Sequence, residues 1–252
     1  MMNIRHVIAA ATLGTATMAP TVASADLSGN AGVMSQYLFR GLEQGPAAAA
    51  YGGIDYAHDS GFYAGTWAAT IGFASASGTS SELDLYAGFS GGDAVTYDVG
   101  AIYYYYSEED EAGSANPSNN TFELYGSVGT GPFSLSAYYA IGDYFAATNV
   151  DNPSEAADGA YGIYGSASFP MTDILALDAS IGYNAGEGNE FFAQGAGDTS
   201  ADSYMEYNLG VSAGLDNGFG FGFGLVMTDI EGPGQDDDPK LVVDASYSFD
   251  LM

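Results

Sequence analysis

Cysteine is absent from the 252 residues, so no disulfide can brace this fold. Basic residues are nearly as scarce. Three Lys and Arg stand against 32 Asp and Glu, a formal net charge of −29. Without a basic patch the chain cannot displace the counterions of a nucleic acid, which excludes that class of partner. His6 and His58 are the two histidines. With so few imidazoles and no thiol, a transition-metal site is not expected. No stretch beyond the N-terminal leader is continuously apolar for the ~18 residues that a membrane-spanning helix takes. No GxGxxG or P-loop pattern joins a strand to a helix, and the Gly-rich run 218–224 reads as strand, so no cofactor is expected.

Aromatic residues are plentiful at 14%, with 20 Tyr, and there are 36 Gly. A strongly acidic chain poor in aromatics would be disordered. Here the aromatics recur at strand spacing, which argues for order. Gly and aromatic enrichment fits twisted strands with interfacial girdles. A saline habitat would by itself account for an acidic, well-solvated surface.

The first 25 residues read as a secretory signal peptide. Arg5 gives a positive start, 7–19 is an Ala-rich apolar stretch, and Ala23-Ser24-Ala25 is a cleavage site. The apolar stretch is too short to be an anchor helix. Cleavage makes Asp26 the mature N-terminus. It leaves Arg40 and Lys240 as the bases of the mature chain, with 26–252 as one domain.

That domain alternates apolar with small or polar residues in about twelve runs. They are 28–40, 48–58, 62–73, 82–90, 94–106, 121–129, 132–144, 160–169, 173–184, 203–215, 218–228 and 240–251. Even-numbered runs are followed by tight-turn chemistry, as in His58-Asp59-Ser60-Gly61, Gly91-Gly92-Asp93, Thr130-Gly131-Pro132, Pro170-Met171-Thr172 and Asp216-Asn217-Gly218. Odd-numbered runs are followed by long, often acidic segments. A soluble sandwich has no reason to sort loop length by parity. An up-and-down antiparallel β-barrel in the outer membrane does, with short periplasmic turns, long extracellular loops and both termini periplasmic.

Strand phase predicts two faces. The lipid-facing sets are Tyr63, Trp67, Ala69, Ile71, Phe73; Leu83, Leu85, Ala87, Phe89; Val95, Tyr97, Val99, Ala101, Tyr103; Leu175, Leu177, Ala179, Ile181, Tyr183; Phe219, Phe221, Phe223, Leu225, Met227; and Leu241 through Leu251 by twos. The lumen-facing sets include Ala64, Thr66, Ala68, Thr70 and a series of acids.

Two stretches resemble a known family. Ser35-Gln36-Tyr37-Leu38-Phe39-Arg40-Gly41-Leu42-Glu43-Gln44, and Gly52-Gly53-Ile54-Asp55-Tyr56-Ala57-His58 running on through Ser60-Gly61-Phe62-Tyr63-Ala64-Gly65-Thr66-Trp67, are similar to the opening of the TorF porin family of proteobacteria. The resemblance covers about 35 residues. It implies an outer-membrane barrel of similar length with a porin-like role, and no enzyme, cofactor or defined substrate. The chain departs from the usual ending of such barrels, closing Phe249-Asp250-Leu251-Met252 without a terminal aromatic.

The candidate pore-lining residues are Arg40, Asp55, Asp84, Asp98, Asp178, Asp244, Glu82, Glu123 and Glu206. Unpaired carboxylates in a dry lumen would each cost several kcal/mol. They therefore predict a hydrated or cation-sharing interior that draws cations and repels anions. Arg40 reads either as a selectivity residue or as an ion-pair partner for an acid such as Asp55. The alternative to a channel is a plugged structural or adhesive barrel displaying acidic loops. Glu108-Glu109-Asp110-Glu111 and Asp236-Asp237-Asp238 read as solvated loops rather than divalent-cation sites, since neither has EF-hand spacing. An outer-membrane enzyme would need a His-activated nucleophile, and His58 falls at a periplasmic turn, so catalysis is not expected. The partners expected are outer-membrane lipid and lipopolysaccharide, the barrel assembly machinery, and small solutes or cations. Nothing marks a protomer interface.

Overall fold

A computed structural model describes residues 26–45, 48–71, 81–106, 119–157, 159–195, 201–230 and 238–252. The signal segment, Phe73, Glu108 to Glu111, Asp236 and Asp237 lie outside the described residues. In chain order the elements are β1 (Asp26–Met34), β2 (Leu38–Phe39), β3 (Leu42–Glu43), β4 (Ala49–Ala57), β5 (Phe62–Thr70), β6 (Ser81–Gly92), β7 (Thr96–Tyr106), β8 (Thr121–Thr130), β9 (Phe133–Ile141), β10 (Tyr161–Pro170), β11 (Leu175–Ala185), α1 (Glu187–Gly195), β12 (Ser203–Gly214), β13 (Phe219–Thr228) and β14 (Lys240–Asp250).

Twelve of these strands close into an antiparallel barrel, each paired with its neighbour in sequence, and β1 with β14 completes the ring. Closure removes both sheet edges. The β1–β14 seam runs from Ser28 opposite Asp250 to Met34 opposite Asp244. It continues past Asp250 through a Leu251 N–H to Leu27 carbonyl bond of 2.8 Å, so the strand pairs to its end without a terminal aromatic. The tight connections gather at one end of the barrel together with the start of β1 and the end of β14. At Gly218, a Cβ would run into the Ser248 carbonyl, and φ is +88°, so only glycine fits that turn.

Outside, the wall is apolar. Leu85, Val99, Leu124, Leu135, Ile163, Leu209 and Phe223 are all exposed. Inside, tyrosine meets glycine. Tyr51 faces Gly32, Tyr63 faces Gly88, Tyr86 faces Gly65, Tyr125 faces Gly100, Tyr138 faces Gly162 and Tyr164 faces Gly182, each directly across a strand pair. At every one of these glycines an added Cβ would collide with the opposing ring. The ring lies over the bare backbone of its neighbour, which pins register and keeps the aromatic layer thin. Gly182→Val should therefore displace the buried Tyr164. It should cost about 1–3 kcal/mol through overpacking, measured as a lower midpoint in equilibrium urea unfolding.

Two expectations are corrected here. The first predicted run, 28–40, does not continue as wall. β1 stops at Met34 and the chain turns into the barrel as the hairpin β2–β3. The phase of β5 is also reversed. Tyr63, Ala69 and Ile71 are buried and Trp67 packs inside, while Ala64, Thr66, Ala68 and Thr70 take the outer face. The interior aromatics of β5 cover the hairpin, so its greasy side points inward.

Candidate functional site in the barrel lumen

The hairpin is the centre of the site. Leu38 pairs with Glu43 and Phe39 with Leu42, which leaves Arg40-Gly41 as a two-residue turn. Both have positive φ, 53° and 78°, as a type I′ turn requires. Gly41 suits this position, where a Cβ would strike Thr228 Cγ2. Arg40 does not suit it by backbone preference, since non-glycine residues pay for the left-handed region. Its side chain explains why it is there.

The Arg40 guanidinium makes a bidentate pair with Glu123, Nη1 to Oε1 and Nη2 to Oε2 both at 2.7 Å. Nη1 also donates to the Tyr144 hydroxyl at 2.8 Å. The group lies 3.2 Å from the centroid of the Tyr138 ring and 4.3 Å from that of Phe39. Tyr104 donates to Glu123 Oε2 at 3.2 Å. Arg40 is 8% exposed and Glu123 1%, so the pair is desolvated and fully partnered. The expected partner Asp55 is not the one found. The other base, Lys240, holds the same hairpin through Glu43 at 3.2 Å.

The hairpin spans the lumen. Tyr37 meets Trp67 edge-on at 5.5 Å, and Phe39 meets Tyr104 and Phe145. On the opposite wall Leu38 packs with Val226 and Val242. Leu42 packs with Tyr204, Ile230 and Ala193 of α1. Asn189 of α1 bonds the Tyr138 hydroxyl at 3.1 Å and accepts from Tyr144 at 3.1 Å, so the helix locks the aromatic layer from above. By sequence, 185–202 reads as loop. Glu187 and Glu190 in the first turn suit a helix N-terminus, but two glycines in the nine residues mask the period. Partial burial, and then Asp151, Asp202 and Glu187, push the Glu190 carboxyl above its usual range.

All eight candidate acids face the interior, and seven of them have a hydrogen-bond partner. Six accept from tyrosines: Glu82 from Tyr37 at 2.8 Å, Asp244 from Tyr51 at 3.0 Å, Asp98 from Tyr63 at 2.7 Å, Glu206 from Tyr164 at 3.1 Å, Glu123 from Tyr104, and Asp55 from Tyr86. Asp178 accepts from Ser212 at 2.6 Å. Asp84 alone keeps a buried oxygen, Oδ1, without a partner. Phenol hydroxyls supply most of the partners that bases do not. Sequence reasoning misses these tyrosines, because aromatic residues recurring along strands fit membrane girdles equally well.

Burial divides the lumen into two halves. Toward the long loops, Glu82, Glu123 and Glu206 are 1–2% exposed and the section is filled. Toward the tight turns, the inward positions are half-buried serines, Ser127, Ser134, Ser136, Ser166, Ser168 and Ser212, with Asp55, Asp98 and Asp178 also half-buried. Three of the candidate acids therefore lie on the tight-turn side of the hairpin, more exposed than those on the other side. His58 lies in the β4–β5 turn, where Nδ1 accepts from the Ser60 N–H at 3.1 Å.

The family model described as "Bacterial protein of unknown function (Gcw_chp)" matches residues 18–250. No curated protein matches the sequence. Among solved structures the chain is similar to the KdgM porin, at 13% identity with a TM-score of 0.53, over 88% of this chain and 99% of that one. A KdgM porin in complex with disordered oligogalacturonate matches at 12% identity and 0.52, over 89% and 99%. The NanC porin matches at 11% identity and 0.56, over 89% and 100%. At these identities the likeness is one of fold.

Proposed function

We propose that this chain, which belongs to the Gcw_chp family of bacterial proteins of unknown function, is an outer-membrane channel. It would pass small hydrophilic solutes, with a preference for cations and no enzymatic step. The observation that carries this reading is the charge of the lumen: among the described residues, eight inward wall carboxylates face two bases, Arg40 and Lys240, and each base is already paired, with Glu123 and with Glu43. A cylinder so lined favours cations and excludes anions. The apolar outer wall, the sorting of loops by length and the TorF-like opening support residence in the outer membrane. Lipid and lipopolysaccharide would then meet that wall, with the tight turns in the periplasm. Oligogalacturonate, the polyanion named with KdgM, is the wrong sign for this lumen, so a similar fold would serve a different solute. The half-buried acids Asp55, Asp98 and Asp178 would select at the periplasmic end, and the hairpin would limit flow at the outer end.

The test is conductance of the refolded protein in a planar bilayer under a KCl gradient. Discrete steps whose reversal potential has the cation-selective sign are expected. Replacing Asp55, Asp98 and Asp178 together with Asn should move that potential toward zero. Stable insertion with no current, even after the hairpin is removed, would favour a structural barrel that displays acidic loops.

A further inference from the structure

The wall against which Arg40 rests is built like a receptor. Glu123 offers both carboxylate oxygens in the plane of a guanidinium, Tyr144 adds a third acceptor, and the Tyr138 ring forms the floor at 3.2 Å. Planar bidentate recognition over an aromatic face is specific for guanidinium rather than for a point charge. These wall groups come from β8, β9 and the segment after β9, and none comes from the hairpin. The ligand is held on the hairpin by a turn residue in a backbone region that arginine rarely adopts. Beside this wall, Asp84 carries a buried Oδ1 with no partner, so the layer has acceptor capacity that Arg40 does not fill. Among the described residues no three such carboxylates converge as a metal site would require.

We infer that Glu123, Tyr138 and Tyr144 form a binding site for guanidinium-bearing organic cations, and that Arg40 occupies it as a tethered stand-in for the solute. The identity of the solute rests on the channel reading above, whereas the site itself does not. A free guanidinium compound would compete with Arg40, take its place on Glu123 and release the hairpin tip.

The experiment pairs a stability readout with a conductance readout. Arg40→Ala empties the site, and Arg40→Gln provides a second variant that keeps a polar side chain in the turn. Guanidinium chloride at low millimolar concentration should raise the melting temperature of either variant, with half-maximal effect on the order of 1 mM for so small a ligand. Equal NaCl or tetramethylammonium chloride should not. Adding Glu123→Gln should weaken the response about tenfold, as expected when a charged hydrogen-bond partner is lost. In bilayers, the same guanidinium range should reduce the potassium current of Arg40→Ala. A guanidinium-specific rise in melting temperature without any current would support the site and count against the channel. No guanidinium-specific rise in either variant would overturn the inference.

Discussion

On the channel reading, replacing residues 35–48 with a short Gly/Asn turn should open the barrel and raise single-channel conductance at least roughly tenfold over the intact chain, because the hairpin would then be the layer that limits flow. The geometry makes this replacement feasible. Met34 and Ala49 sit directly opposite one another on β1 and β4, so a tight turn can join them. The native connection is much longer than closure of the pair requires, and its extra length is the hairpin that crosses the lumen. Twelve strands lie between the filled eight-stranded barrels and the water-filled larger porins, so the interior needs an insert if it is to be closed. The wall should survive the deletion, since only the two Ser35–Val243 bonds at the end of the β1–β14 seam are lost from the strand ladder, and the Tyr–Gly pairs do not involve residues 35–48. Unchanged conductance in a correctly folded variant would mean that another segment closes the pore. Retained folding is read by the usual mobility difference between heated and unheated barrel on a denaturing gel.

The barrel itself was legible because strand period and turn chemistry are local. Each wall strand after the first falls within a few residues of its sequence-based bounds. The errors share one cause. Alternation tells which residues share a face, but the rule that the apolar face meets lipid fails when the lumen is also packed. Trp67 and Tyr63 are inward because Tyr37 and Asp98 are there to receive them, and Asp98 lies 35 residues away. Residues 35–40 alternate well enough to read as strand, and only the Arg40-Gly41 turn betrays the hairpin. The stretch that resembled the TorF opening turns out to encode this hairpin. The Tyr–Gly and Tyr–carboxylate pairs depend on register between strands, which no single strand reveals. Tyrosine enrichment is visible in the sequence, but its division between the outer face and the lumen is not. For the same reason the acids were recognised while their partners were not.

Glu123→Leu should be the most damaging single substitution in the lumen. It leaves the Arg40 guanidinium 8% exposed with its bidentate partner gone, and breaking a buried pair from one side costs about 3–5 kcal/mol. Arg40→Met should cost less, because Glu123 keeps the Tyr104 hydroxyl at 3.2 Å. The double variant should recover much of the loss of Glu123→Leu, since a buried pair replaced on both sides by apolar groups is often close to neutral. A double-mutant cycle by equilibrium unfolding in detergent reads the coupling, and simple additivity of the two single variants would count against a functional pair. The hairpin sets a ceiling on the measured cost. If withdrawing residues 37–44 into water is easier than burying a bare guanidinium, the chain will withdraw them, and Glu123→Leu will gain conductance rather than unfold. The measured cost then equals the net free energy with which the hairpin docks in the unaltered protein, through Arg40 on Glu123 together with contacts such as Tyr37 on Trp67, Leu38 on Val242 and Lys240 on Glu43.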